Sequence, residues 1–305
     1  MSDQDRPAQP RVGVVGLGAM GLGMARSLRK AGYQVGVHDL RPEVAEGFAR
    51  DGGTAFASPG DLAATVDVVV GVVVNAAQVE SVLFGADGAA ARLRPGTVFV
   101  MCSTVDPGWS AELEGRLAER GVLYLDAPIS GGAARAAAGE LTMMTSGSAA
   151  AYAVADPVLE AMSATVYRLG EQPGLGSKVK IVNQLLAGVH IAAAAEAMAL
   201  GLKAGVPAEA LYEVITHSAG NSWMFENRMA HVLAGDYTAL SAVDIFVKDL
   251  GLVLDSARPQ RFPLPLAATA HQMFLQASAS GLGDEDDSAV IKIFPGIDLP
   301  RPMGA

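Results

Sequence analysis

The residue in this chain best suited to acid–base chemistry is Lys180, which shares helical spacing with two amides, Asn183 and Gln184. A helix would put them, with Ala187, on one face of a segment that is otherwise apolar. A lysine drawn down toward neutrality by burial and neighbouring cations can take a proton, and an adjacent amide can donate to a substrate oxygen. A snorkelling lysine would give the same pattern, so both readings stand on spacing alone. Lys178 points away from that face and reads as solvated.

A second set lies near the N-terminus. The apolar run Val12-Gly-Val-Val15 enters Gly16-Leu-Gly18-Ala-Met-Gly21, and a helical pattern follows. A parallel strand turning tightly into a helix exposes backbone N–H groups that can hold a pyrophosphate. Gly16 permits the turn, Gly18 lets the backbone approach phosphate and Gly21 allows close packing; Ala19 and Met20 join them as expected cofactor contacts. Asp39 ends the next short strand about 20 residues on, where an acid accepts from the adenosine ribose hydroxyls. That carboxylate favours NAD and would repel the 2′-phosphate of NADP. Arg41 could accommodate such a phosphate if Asp39 swung away; otherwise it is a solvated arginine before Pro42.

These groups need a sheet to carry them. Strands are expected at 12–15, 35–38, 66–74, 98–102, 123–126, 141–145 and 165–168. They alternate with helical segments, which gives a doubly wound α/β domain of the Rossmann type. Ligands of such a sheet bind beyond the carboxyl ends of its strands. Asn75, Ser103-Thr104 and Ser130-Gly131-Gly132 fall there, and Asn75 joins the expected cofactor contacts. Thr104 reads equally as a nicotinamide-ribose contact or as a helix cap before Pro107. Ser130-Gly131-Gly132 reads equally as a carboxylate nest or as a plain turn.

Past the cluster Gly170-Glu-Gln-Pro-Gly-Leu-Gly176 the pattern becomes helical, with helices expected at 177–204, 207–218, 243–256 and 264–280. Residues 1–10 read as a flexible arm, 11–173 as the dinucleotide-binding domain, and 174–305 as an all-α domain joined by a long interdomain helix. The polar stripe with Lys180 should face the cleft between domains. Asp284-Glu-Asp-Asp-Ser288 reads as a solvated loop with a helix cap. His190, His217, His231 and His271 have no ligand-spaced partners, so no metal is expected.

Of the 305 residues, 50% are apolar and 18% charged, which marks a folded globular protein. A formal net charge of −10 disfavours nucleic acid and anionic membranes as partners. Cys102 is the single cysteine, which fits a reducing cytoplasm, and the polar N-terminus has no apolar signal region. The stretch 185–202 reads as a buried helix and not a membrane span; it is apolar on more faces than one small domain covers, so an oligomer is expected.

Four segments, Gly16–Gly21, Asp126-Ala-Pro-Ile-Ser-Gly-Gly132, Gly174-Leu-Gly-Ser-Lys-Val-Lys-Ile-Val-Asn183 and Val247-Lys-Asp-Leu250, occur in the order seen in β-hydroxyacid dehydrogenases. The chain resembles that family, the 3-hydroxyisobutyrate dehydrogenases, over nearly its whole length. The resemblance implies Lys180 as the catalytic lysine, and Ser130, Gly131 and Gly132 as substrate contacts. It implies Thr104 and Lys248 as cofactor contacts, and a helical second domain used in oligomerisation, as a homodimer or homotetramer. The family often shows two asparagines after the lysine; here the pair is Asn183-Gln184, and either amide would meet substrate. An extra residue also stands between Gly170 and Gly174. Residues 183–198 and 219–228 most resemble the branch that oxidises the C2 hydroxyl of L-threonate with NAD. The alternatives are a tartronate semialdehyde reductase, a 3-hydroxyisobutyrate dehydrogenase, and an inactive NAD-binding scaffold. Imine reductases share the architecture but usually lack the lysine.

Overall fold

A computed structural model describes residues 9–301; most of the expected N-terminal arm, residues 1–8, lies outside them. The chain divides into two compact units, one ending at Lys180 and the other beginning at Ile181.

Among the described residues the first unit is built on nine strands: β1 Val12–Val15, β2 Val35–His38, β3 Thr54–Ala55, β4 Val68–Gly71, β5 Val98–Met101, β6 Leu123–Asp126, β7 Ile129–Ser130, β8 Leu141–Gly147 and β9 Ser163–Arg168. Seven helices connect them: α1 Gly21–Lys30, α2 Pro42–Arg50, α3 Pro59–Ala63, α4 Ala76–Phe84, α5 Pro107–Ala118, α6 Gly132–Ala138 and α7 Ala149–Met162. The order β3-β2-β1-β4-β5-β6-β8-β7, with β9 on β8, reverses direction between β1 and β4. That switch point is where an open α/β sheet leaves a crevice for a ligand. From β3 to β6 every pairing is parallel. β4 is fully buried along its length, as its unbroken valines require of a strand covered on both faces.

Two features depart from the expected sheet. β4 is shorter than the apolar run 66–74, because β1 stops at Val15 where Gly16 turns at φ +93° and no ladder partner remains beyond Gly71. The far edge is also not parallel: β8 runs antiparallel to β6 and β7, then pairs in parallel with β9. Apolar periodicity reports burial and carries no information on strand direction. Separate apolar clusters hold the two sheet faces, one around Met24, Leu28 and Leu125, the other around Leu62, Leu83, Phe99 and Leu113.

The helix α8, Leu175–Lys203, begins in the first unit and continues into the second. The second unit adds α9 Ala208–Thr216, α10 Trp223–Ala234, α11 Val243–Ala257 and α12 Pro265–Ala277. α10 was not among the expected helices; Ser222, which accepts from the Phe225 amide at 3.0 Å, caps it. By length and composition α8 is apolar enough to cross a membrane. Ile191, Ala195 and Met198 on it are nonetheless fully buried in the second unit's core with Met229, Leu250 and Phe274.

Candidate active site

The glycine turn has the shape a dinucleotide needs. Gly16 takes φ +93°, and a Cβ there would fall 2.4 Å from the Val72 carbonyl oxygen. A Cβ on Gly21 would fall 1.9 Å from the Gly16 oxygen, so α1 packs directly on the turn. At Gly18 a Cβ would meet nothing within 4 Å, and both Gly18 and Ala19 are exposed. Met20 stands at the N-cap of α1 without a side-chain cap, and no acid lies in the first turn. With no side-chain cap and no acid there, this helix N-terminus is suited to an anion. These features fit NAD, with the pyrophosphate on the turn.

Asp39 is held from two sides. Its Oδ2 accepts from the Leu17 amide at 2.6 Å, and its Oδ1 accepts from the Arg41 amide and Nε, each at 3.0 Å. Burial pushes this carboxyl up, but the bonds from Arg41 and Leu17 outweigh it and hold the group below the usual range. Arg41 is therefore not simply solvated: it is N-cap of α2 and ion-paired to Asp39, with its side chain 55% exposed.

At the strand ends, Asn75 caps α4 by accepting from the Gln78 amide at 2.9 Å. Gln78 reaches back to the Val74 amide at 2.8 Å, which closes a reciprocal cap. The cap before Pro107 is Asp106, which accepts from the Trp109 amide at 2.9 Å. The cap reading of Thr104 is thereby corrected. An N-cap side chain must reach an amide two or three residues on, and Asp106 has that register with Trp109. Thr104 is half-buried beside the β5 end.

Ser130 ends β7, and Gly131 and Gly132 follow at φ +137° and +75°. A Cβ on Gly132 would meet nothing within 4 Å, so its backbone is open to a ligand. Lys180 is buried, 7% exposed, and its Nζ donates to the Ile129 carbonyl at 2.8 Å. Lys178 is exposed. The first turn of α8 is clamped to the sheet by Asp126, which accepts from the Ser177 amide and hydroxyl, each at 2.7 Å. Gly176 fits there because its backbone lies against the strands: a Cβ would fall 2.4 Å from the Met144 oxygen. Burial pushes the Asp126 carboxyl up, while the Ser177 bonds oppose it. Burial likewise pushes up the Cys102 thiol, which stays protonated and inert.

In the second unit Asn183 is half-buried and its Nδ2 donates to Gln184 Oε1 at 2.9 Å. Gln184 is 7% exposed, and its Nε2 donates to Asp249 Oδ2 at 2.5 Å. Lys248 Nζ lies 2.8 Å from Asp249 Oδ1. Asp126 and Asp249 are the residues that sequence reasoning passed over. Each is an acid inside an apolar pattern, Asp126 at the end of Leu-Tyr-Leu and Asp249 on the buried stripe with Phe246, Leu250 and Val253, and that was the available signal.

The loop 284–288 is corrected as well. Asp286, Asp287 and Ser288 are fully buried, not solvated. Arg228 Nε and Nη2 donate to Asp287 at 2.5 and 3.0 Å, and Asp286 pairs with His231 at 2.9 Å. The expected cap is present, with the Ser288 amide donating to Asp286 Oδ1 at 3.1 Å. Among the described residues no group of three or more His, Cys, Asp or Glu is placed to hold a metal.

Two family models cover the chain. Residues 11–170 match the NAD-binding domain of 6-phosphogluconate dehydrogenase, and residues 174–294 match the NAD-binding segment of NADP-dependent 3-hydroxyisobutyrate dehydrogenase. The chain is 66% identical over 289 residues to an L-threonate dehydrogenase of Cupriavidus necator, covering 95% of this chain and 97% of that one. It is 54% identical to an L-threonate dehydrogenase of Escherichia coli K12, over 95% and 96% of the two chains. The crystal structure of a Salmonella typhimurium protein described as 3-hydroxyisobutyrate dehydrogenase superposes with a TM-score of 0.89 at 55% identity, covering 93% of this chain and 99% of that one.

Proposed function

Because the chain belongs to the 3-hydroxyisobutyrate dehydrogenase family of NAD-dependent hydroxyacid oxidoreductases, we propose that its substrate is L-threonate, oxidised at C2 to 2-oxo-tetronate. The observation that carries the site is Lys180, a buried amine bonded to the carbonyl that immediately precedes Ser130-Gly131-Gly132.

In this reading Ser130 and the backbone amides of Gly131 and Gly132 hold the substrate carboxylate. Neutral Lys180 takes the proton from the C2 hydroxyl as the carbon is oxidised, and returns it in the reverse direction. NAD, held by Gly16, Gly18, Ala19, Met20, Gly21 and Asp39, supplies the hydride acceptor. Asn75, Thr104 and Lys248 complete the cofactor contacts. Asn183 meets the substrate, whereas both polar atoms of Gln184 are committed, to Asp249 and to Asn183. Gln184 is thus a positioning residue.

The same reading places the protein in the cytoplasm and makes it a homodimer or homotetramer. Val182, Leu186 and Leu200 on α8 are 61%, 50% and 71% exposed. A second copy would cover that apolar stripe. Light scattering at micromolar concentration should give a mass of at least two chains, and a monomer would contradict it.

A screen of three- to five-carbon hydroxy acids with NAD and NADP tests the substrate. NADH formation should be fastest with L-threonate. Faster turnover of tartronate semialdehyde with NADH would favour the reductase alternative, and silence with every acid would favour an inactive scaffold.

A further inference from the structure

Arg135 lies on α6, one helical turn beyond Gly131, and its side chain is folded back onto Ser130-Gly131-Gly132. A Cβ on Gly131 would fall 3.0 Å from Arg135 Cδ and 3.1 Å from Arg135 Cβ, so the apolar stem runs along the Gly131 backbone. Helical side chains lean this way, toward the N-terminal end of their own helix. The guanidinium begins one bond beyond Cδ and therefore stands beside the loop. Arg135 is exposed, and among the described residues no acid pairs with it and no hydrogen bond holds its side chain.

Other cations of the first unit are spent or misplaced. Arg41, Arg116 and Arg168 are paired with Asp39, Glu80 and Asp156. Arg29, Lys30 and Arg50 close α1 and α2. Each of these helices crosses between parallel strands, so its last turn lies at their amino ends, opposite the edge where ligands bind. Arg135 instead adjoins the loop at its stem. The loop itself offers a hydroxyl and amides but no formal charge, and Lys180 works in its neutral form. A carboxylate drawn to a chain of net charge −10 needs a local cation to offset the repulsion. A planar guanidinium meets a carboxylate with two parallel N–H bonds, which fixes its orientation as well as its charge.

We propose that Arg135 is a substrate-binding residue that pairs with the carboxylate of the hydroxy acid. The inference deepens the reading of Ser130-Gly131-Gly132 as the carboxylate loop and rests on it. Gly131 serves the pair by leaving room for the arginine stem.

The test separates the charge from the stem. Arg135→Met keeps an apolar stem over Gly131 and removes the cation. KM for L-threonate should rise about tenfold or more, with kcat within about threefold of wild type and NADH affinity unchanged. Arg135→Lys should recover part of the loss, because the charge returns without the fork. Raising the ionic strength from about 20 to 200 mM should lower wild-type kcat/KM and leave Arg135→Met nearly flat. The same split is expected with whichever acid the substrate screen identifies, so failure of L-threonate and failure of Arg135 are read apart. An unchanged KM in Arg135→Met, or kcat lost in step with KM in both variants at every salt concentration, would overturn the proposal. Ser130→Ala tests the loop separately: an unchanged KM there beside a raised KM in Arg135→Met would support Arg135 and remove the serine from the carboxylate.

Discussion

Lys180 Nζ stands 2.8 Å from the backbone oxygen of Ile129, on the strand that runs into Ser130-Gly131-Gly132. Giving one hydrogen to that carbonyl orients the amine, and when neutral it keeps a lone pair for an incoming hydroxyl proton. The helix that carries the base and the strand leading into the loop assigned to the substrate are thus tied by this hydrogen bond.

Lys180→Ala should therefore lower kcat by roughly two to four orders of magnitude, the usual contribution of a general acid–base group. NADH affinity, read by fluorescence titration, should hardly change. Lys178→Ala is the control, because that side chain is exposed. Near-normal turnover in Lys180→Ala, or equal damage from Lys178→Ala, would remove the assignment.

Cofactor choice follows from Asp39. Its carboxylate holds Arg41 and also fastens the Leu17 amide in the glycine turn. Asp39→Ala should weaken NAD use by about tenfold or more and, by releasing the Arg41 guanidinium, improve use of NADP. Steady-state kinetics with both cofactors measures the ratio. An unmodified protein that uses NADP as well as NAD would sink this prediction.

Asp126 should matter to both stability and rate. Asp126→Ala leaves the amide and hydroxyl of Ser177 buried without their acceptor, at a cost of about 2–4 kcal/mol. Lys180 lies one helical turn beyond Ser177, so kcat should fall with little change in NADH affinity. Denaturant melts and kinetics on the same preparation check this; an unchanged melt with normal kcat would refute the clamp.

The second unit carries a pH signature at His231 and Asp286. The hydrogen bond to Asp286 raises His231 above its ordinary 6.5 against the opposing effect of burial. Burial pushes Asp286 up, but the bonds from His231 and Ser288 outweigh it and hold the group well below 3.8. The acid's contribution to stability is present above 3.8 and lost as pH falls through its lowered value. The histidine's is complete below 6.5 and lost as pH rises through its raised value. Arg228 works against the charge on His231, while Asp287 supports it. Melting followed from about pH 5 to 9 should show falling stability on the alkaline side. His231→Gln should flatten that fall and cost about 2 kcal/mol in the acid half of the range. A wild-type curve without the alkaline fall would contradict the pairing.

Much of the dinucleotide half was legible from the residues alone. Val12–Val15, Val35–His38 and Leu123–Asp126 are strands with the expected bounds, and the turn at Gly16 takes the left-handed backbone that its glycine anticipated. Such features depend on neighbours a few positions away: short unbroken apolar runs, β-branching, and a φ that only glycine adopts without strain. Lys180 on the long helix was readable for the same reason, since one polar stripe on an apolar helix is a local pattern. What the fold alone decided involves partners far apart in sequence. Gln184 reaches Asp249 across 65 residues and Arg228 reaches Asp287 across 59. The reversal of β8 and the burial of Asp286 and Asp287 belong to the same class. A carboxylate in a polar-looking loop can be buried only where distant donors neutralise it, and nothing in its own neighbourhood records that they will arrive.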